Sequence, residues 1–203
     1  MAKLYLGILL VCLVAVSMAA QANTYTFTPN PVDLNDLDHW YYYSWGINWQ
    51  VPDGESITSA VLKFDNINNW ANETNVLYIH LLDNPKVGTF DYYDAQGGGD
   101  AFAGQGVRIV AYTDTDASKA ENLTYDLSSL GLLDTFKSYA SDGKFGFGMD
   151  PDCHYYVSKI SLVVNTGSTT NVPESSGALA MAGGFASLVP FVTRWRKQAW
   201  RKM

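Results

Sequence analysis

Between Asp33 and Tyr43 the chain reads DLNDLDHWYYY. Asp33, Asp36, Asp38 and His39 are oxygen and imidazole donors packed into seven residues, and Asp150 and Asp152 add two carboxylates further along. Calcium is the cation such a set suits, because it takes about six to eight oxygen ligands and tolerates irregular geometry. An EF-hand loop is excluded, since it needs oxygens at alternate positions followed by glycine. Counting from Asp33 the fifth position is Leu37, and counting from Asp36 it is Trp40. DTDAS does place Asp114, Asp116 and Ser118 alternately, but Lys119 stands where the glycine belongs and Tyr125 where the bidentate Glu belongs. The calcium site that remains open is a non-EF one bridging loops through Asp33, Asp36, Asp38, Asp150 and Asp152. The alternative is that these are solvated turn carboxylates.

The same stretch carries Trp40, Tyr41, Tyr42 and Tyr43, with Trp45, Trp49 and Trp70 beyond. Flat rings on the face of a sheet stack on the apolar C–H patches of sugars. They also dominate the interiors of all-β proteins. Four consecutive residues of a strand cannot all point inward, so some of Trp40 to Tyr43 are expected at a surface, where carbohydrate contact is the chemistry they offer. Acidic side chains can also form a glycosidase pair, which needs two carboxyls at a set separation in a cleft. An exported hydrolase acting on matrix polysaccharide is therefore the rival reading.

Other motifs carry less. The glycine-rich QGGGDAFAGQG, 96–106, lacks the Lys-Ser/Thr of a phosphate loop and misses the G-G-x-G-x-D calcium repeat, so a flexible surface loop is expected there. Cys153 and His154 are adjacent, and in an extended strand neighbours face opposite ways, which makes them a poor nucleophile–base pair. His80 lies in VLYIHLLD and reads as a strand residue with no special role. Neither H-E-x-x-H nor G-x-S-x-G occurs, and no enzymatic activity or resident cofactor is expected.

The elements that must position these residues are mostly strands. Trp45, Ile47, Trp49 and Val51 alternate with Gly46, Asn48 and Gln50; Ala60, Leu62 and Phe64 alternate with Val61, Lys63 and Asp65; and Phe145, Phe147 and Met149 share one face. Period-two patterning indicates half-buried strands. Further strands are predicted at 24–28, 75–83, 107–113, 123–127 and 155–165. Asp53-Gly54, Asn84-Pro85, Gly97-Gly98-Gly99 and Asp142-Gly143 are turn signals between strands. Residues 128–140 place Leu130, Leu133, Phe136 and Ala140 at helical spacing behind a serine, which predicts one short helix. About eight strands and one helix predict an all-β antiparallel β-sandwich, jelly-roll-like, over residues 23–166.

The two ends differ from this domain. Lys3, the apolar run LYLGILLVCLVAV and the small-residue site Ala20-Gln21-Ala22 make residues 1–22 a predicted secretory signal peptide. Cys12 lies within it, which leaves Cys153 alone in the mature chain, with no internal disulfide. Residues 23–173 carry 19 Asp and Glu against 7 Lys and Arg, a formal charge of 7 − 19 = −12. Such a surface repels nucleic acid, whose binding depends on cations that neutralise phosphates. Residues 177–193 contain no charge. As a helix they would rise roughly 26 Å at about 1.5 Å per residue, close to a hydrocarbon core of about 30 Å. A basic tail, 194–203, follows with Trp195 and Trp200, and positive charge of this kind stays in the cytoplasm.

Val172-Pro173-Glu174 stands just outside that apolar segment, in a linker expected at 167–176. The Pro-Glu signature, the Gly/Ala/Leu-rich span and the terminal Arg/Lys cluster together resemble the PEP-CTERM sorting signal. The resemblance covers about 30 residues from Val172 onward, with Ser175 in place of the usual second proline. It implies a substrate of an exosortase-type membrane enzyme in a Gram-negative bacterium. The tail holds the chain in the inner membrane, the enzyme cuts near Pro173-Glu174, and the acidic domain passes to the cell surface or extracellular matrix. A permanent single-span anchor is the alternative.

Overall fold

The computed structural model describes residues 22–95 and 98–169. The expected signal peptide up to residue 21, the sorting residues Val172, Pro173 and Glu174, the apolar span 177–193 and the basic tail lie outside the described residues. Among the described residues no helix is long and apolar enough to cross a membrane.

Among the described residues ten strands form in chain order: β1 (Asn23–Phe27), β2 (Tyr41–Asn48), β3 (Glu55–Asn69), β4 (Asn75–Asp83), β5 (Gly88–Tyr93), β6 (Val107–Asp114), β7 (Glu121–Asp126), β8 (Lys144–Pro151), β9 (Tyr155–Tyr156) and β10 (Lys159–Ser168). An α-helix, α1 (Leu133–Tyr139), runs into a 3-10 turn, Ala140–Asp142. The fold is all-β. One sheet has the order β1-β10-β3-β7, with β9 paired to the far end of β3; the other has the order β5-β2-β8-β4-β6. Every strand pairing is antiparallel.

The core is the inward set of both sheets. Ala60, Leu62 and Phe64 of β3 and Ile160, Leu162 and Val164 of β10 meet Tyr43, Trp45 and Ile47 of β2, Leu77, Ile79 and Leu81 of β4, and Phe145, Phe147 and Met149 of β8. Side chains that alternate in sequence therefore line one face, as the pleat requires. Phe136 of α1 joins this core and meets Phe145 edge-on at 5.0 Å.

Several boundaries differ from the sequence reading. The helix begins at Leu133, not Ser128. Asp126 accepts the backbone N–H of Ser128 at 2.8 Å, and Gly131 takes φ +70°, so two tight turns come first. Asx turns of this kind compete with helix initiation. β2 starts four residues before the predicted strand and stops at Asn48. β5 was not foreseen, because VGTFDYYD does not alternate. β10 runs to Ser168, two residues past the expected domain edge.

The acidic stretch before β2 folds as a plug. Leu34, Asn35 and Asp36 all take positive φ, 57–58°. This left-handed run turns Leu34 and Leu37 into the core, where they are 1% and 0% exposed. Leu37 and Tyr155 exchange both backbone hydrogen bonds at 2.9 Å, which ties the plug to β9.

Candidate binding face

The five metal candidates do not converge. Asp33 accepts the N–H of Asn35 at 3.0 Å and Asp38 that of Trp40 at 3.1 Å. Asp36 accepts the N–H of Val157 at 3.2 Å, and Asp150 that of Ala101 at 2.6 Å. Asp152 is hydrogen-bonded to the backbone of Gly99. Among the described residues no three His, Cys, Asp or Glu side chains come together in a way that can hold a metal ion. The carboxylates of the calcium set instead satisfy loop N–H groups that strand ladders leave without partners.

The four consecutive rings divide by the alternation of β2. Tyr43 is a core residue, 5% exposed; its hydroxyl accepts the N–H of Asp38 at 2.9 Å, and burial pushes its pKa up to about 12. Tyr43 is therefore withdrawn from sugar contact. Tyr41 packs against the core and meets the edge of Tyr93 at 5.8 Å. Tyr42 points to the outer face of its sheet and stacks on Tyr92 at 5.1 Å. Trp40, just ahead of the strand, is 39% exposed and stacks on Tyr93 at 5.9 Å with the planes 4° apart.

Trp40 belongs to a longer ridge of rings. His39 touches Trp40 at 5.5 Å and Trp70 at 6.2 Å. Trp70 touches His154 at 6.2 Å, and His154 touches Tyr156 at 4.8 Å. Tyr93, Trp70 and Tyr156 are 65%, 50% and 47% exposed. These rings come from separate loops and strand ends that the register gathers at one end of the sandwich. Tyr41 lies opposite Tyr93, Asn69 opposite Tyr155, and Leu77 opposite Pro151. Cys153 sits inside the ridge. Its Sγ accepts the indole N–H of Trp70 at 2.8 Å and lies 3.9 Å from Nδ1 of His39. The His154 ring meets Trp70 and Tyr156. The imidazole that the thiol meets belongs to His39, 114 residues away in sequence, a pairing that local spacing cannot show.

The outer face of the second sheet is not bare. The glycine-rich segment expected to be a flexible loop folds back over it, and Phe102 is 3% exposed. The Phe102 ring lies edge-on to Tyr42 at 5.4 Å and tilted to His80 at 5.9 Å. His80 is itself 3% exposed, and both its nitrogens are used: Nδ1 donates to the carbonyl of Gln105 at 3.0 Å, and Nε2 meets Asp100 at 2.9 Å. Asp100 also accepts the N–H of Phe102 at 3.1 Å and lies 3.7 Å from Arg108. His80 is thus a clasp for residues 100–105. Beside the clasp is a groove of about 540 Å³, floored by Tyr42, Ser44 and Tyr92 and walled by Phe102, Lys86 and Gln105.

Asp150 lies under this clasp. Burial, followed by the charges of Asp94, Asp100 and Asp152, raises its pKa to about 6. A general acid has such a value. Asp150 is, however, 2% exposed and holds the N–H of Ala101, so substrate does not reach it while the clasp is closed.

No protein-family model matches this chain, and no curated protein matches it.

Proposed function

We propose that this protein is an exported, non-enzymatic β-sandwich, jelly-roll-like in its connections, that contacts extracellular polysaccharide through the ridge of rings at one end. The observation that carries the contact is the exposure of Trp40, Trp70, Tyr93 and Tyr156 along a continuous chain of ring contacts. Scattered exposed aromatics are ordinary, whereas a contiguous set marks a binding surface. Successive chain segments pass between the two sheets, β1 to β2, β2 to β3 and β6 to β7, which supports the jelly-roll-like reading. The covered position of Asp150 supports binding over hydrolysis.

Export rests on the two ends of the sequence. In this reading an exosortase-type enzyme in the inner membrane of a Gram-negative bacterium cuts near Pro173-Glu174 and releases the domain to the cell surface or matrix. Mass spectrometry of the protein from the cells that make it tests this. The expected chain begins at Asn23 and ends near Glu174; recovery of a chain still carrying Met203 overturns it. Affinity electrophoresis in gels cast with matrix polysaccharide tests the contact. Retardation that disappears with Trp40→Ala plus Trp70→Ala is expected, and unretarded migration of the unaltered protein overturns it.

A further inference from the structure

The segments that build the ridge are one-sided in charge. Residues 30–43, 70–74, 91–95 and 151–156 contain Asp33, Asp36, Asp38, Glu73, Asp91, Asp94 and Asp152, and no lysine or arginine. Glu73 reaches the middle of the ridge, where its Oε1 lies 3.8 Å from Sγ of Cys153. Asp38 caps the N–H of Trp40 itself. Asp91 lies on β5 two residues before Tyr93, and Asp94 follows Tyr93.

Ring faces carry the negative end of the aromatic quadrupole, so they attract a cation laid over them. The surrounding carboxylates act in the same direction, and they act against a polyanion. The platforms are also held in place before any ligand arrives. Trp40 is aligned on Tyr93, and the indole of Trp70 is pinned through its N–H to Cys153. Rings already fixed lose little rotamer freedom on binding. The step from ring to ring, 4.8–6.2 Å, is on the scale of one pyranose unit.

We infer that the ridge selects a polycationic glycan, a polymer of amino sugars whose amines are free and protonated, over neutral and uronic-acid chains. This rests on the reading of the ridge as a polysaccharide-contact surface and adds its charge class. Each sugar would place a C–H face on a ring and direct its ammonium toward Asp38, Glu73, Asp91 or Asp94.

Calorimetry on the protein purified from the cells that make it tests the inference. The titrants are a glucosamine hexamer, the N-acetylglucosamine hexamer, an oligouronate and hexalysine, at a pH where the sugar amines are charged. The glucosamine hexamer is expected to bind roughly tenfold or more tightly than its acetylated form, a preference that shrinks as salt is added. Trp40→Ala plus Trp70→Ala removes binding of both sugars. Glu73→Gln with Asp91→Asn and Asp94→Asn removes the preference and leaves the acetylated hexamer bound. Equal affinity for the two hexamers overturns the charge selection and leaves polysaccharide contact standing. Tightest binding of the oligouronate overturns the selection. Hexalysine binding as tightly as the glucosamine hexamer, indifferent to the tryptophan changes, overturns it too. If no sugar binds, both the selection and the underlying reading fall.

Discussion

The ring of Phe102 occupies the space that a side chain at Gly148 would need. A Cβ built on Gly148 comes within 2.8 Å of three ring carbons. The middle of β8 is therefore bare because the clasp is seated on it. Gly148→Ala is expected to lift Phe102 and cost about 2 kcal/mol, the usual scale for forcing a methyl into a filled space. In a domain of this size that lowers the melting temperature by roughly 4–8 °C. Introduced into a Phe102→Ala background, the same change should cost almost nothing. Thermal unfolding of the four proteins of this cycle measures the coupling. Additive losses would mean that the ring and the glycine do not share one space.

His80→Leu is expected to free the segment from Asp100 to Gln105 without unfolding the sheets. It removes two hydrogen bonds and leaves Arg108, 3.7 Å away, beside the carboxylate of Asp100. A loss of about 1–3 kcal/mol follows from stranding a polar group of this kind. Hydrogen exchange should accelerate at Ala101–Gly106 more than at Ile79 or Leu81. Uniform acceleration would show that His80 supports the sandwich and not the clasp.

Asp150 gives the domain a pH dependence opposite to that of ordinary paired acids. Its pKa is raised to about 6 in the folded chain, mainly by burial, against an ordinary value of about 4. Below about pH 4 it is protonated whether folded or unfolded, and its contribution to stability is fully present. That contribution is lost as pH rises through about 6, to the extent of roughly 2–3 kcal/mol. Asp116 and Asp126 lie below the usual range because they accept hydrogen bonds from Ser118 and Ser128, and Glu55 because it accepts one from Thr166. Their stabilisation is lost instead as pH falls through those lowered values, a separate window. Asp150→Asn should raise the melting temperature at neutral pH and flatten its profile between about pH 4 and 7. A variant that kept the full slope would place its origin elsewhere.

Cys153 anchors the ridge through Trp70. Cys153→Ala removes the acceptor that fixes the indole and is expected to cost about 1 kcal/mol. Cys153→Ser keeps an acceptor and should cost less. Near-UV circular dichroism, which reports an indole held in one orientation, should weaken in the alanine variant and largely persist in the serine variant. Identical spectra for all three would dissolve the link between the thiol and the ring.

The parts of this fold that could be read from the sequence are those in which one strand carries its own pattern. Ala60, Leu62 and Phe64, and Phe145, Phe147 and Met149, announce the core face because alternation is local. The inward position of Tyr43 follows from the same frame, since Trp45 and Ile47 extend back to it by steps of two. The clasp could not be read this way. Phe102 sits among glycines, and the partners of His80 lie 20 and 25 residues away. The ridge was half legible. Trp40 and Trp70 stood out by type, but only the register brings Tyr93 and Tyr156 beside them. The five aspartates of the calcium set cannot be placed by type alone, because aspartate suits turn amides as well as it suits cations.

β1 lies beside β10, with Asn23 opposite Thr166, and Ser168 lies opposite Glu55 at the start of β3. The ridge stands beyond Asn69, where β3 ends, and fifteen extended residues span roughly 45 Å. Both points at which the described chain leaves the sandwich therefore lie at the pole opposite the rings. Residues 22 and 169 thus mark the foot of the sandwich, and the aromatic crown stands at its other pole.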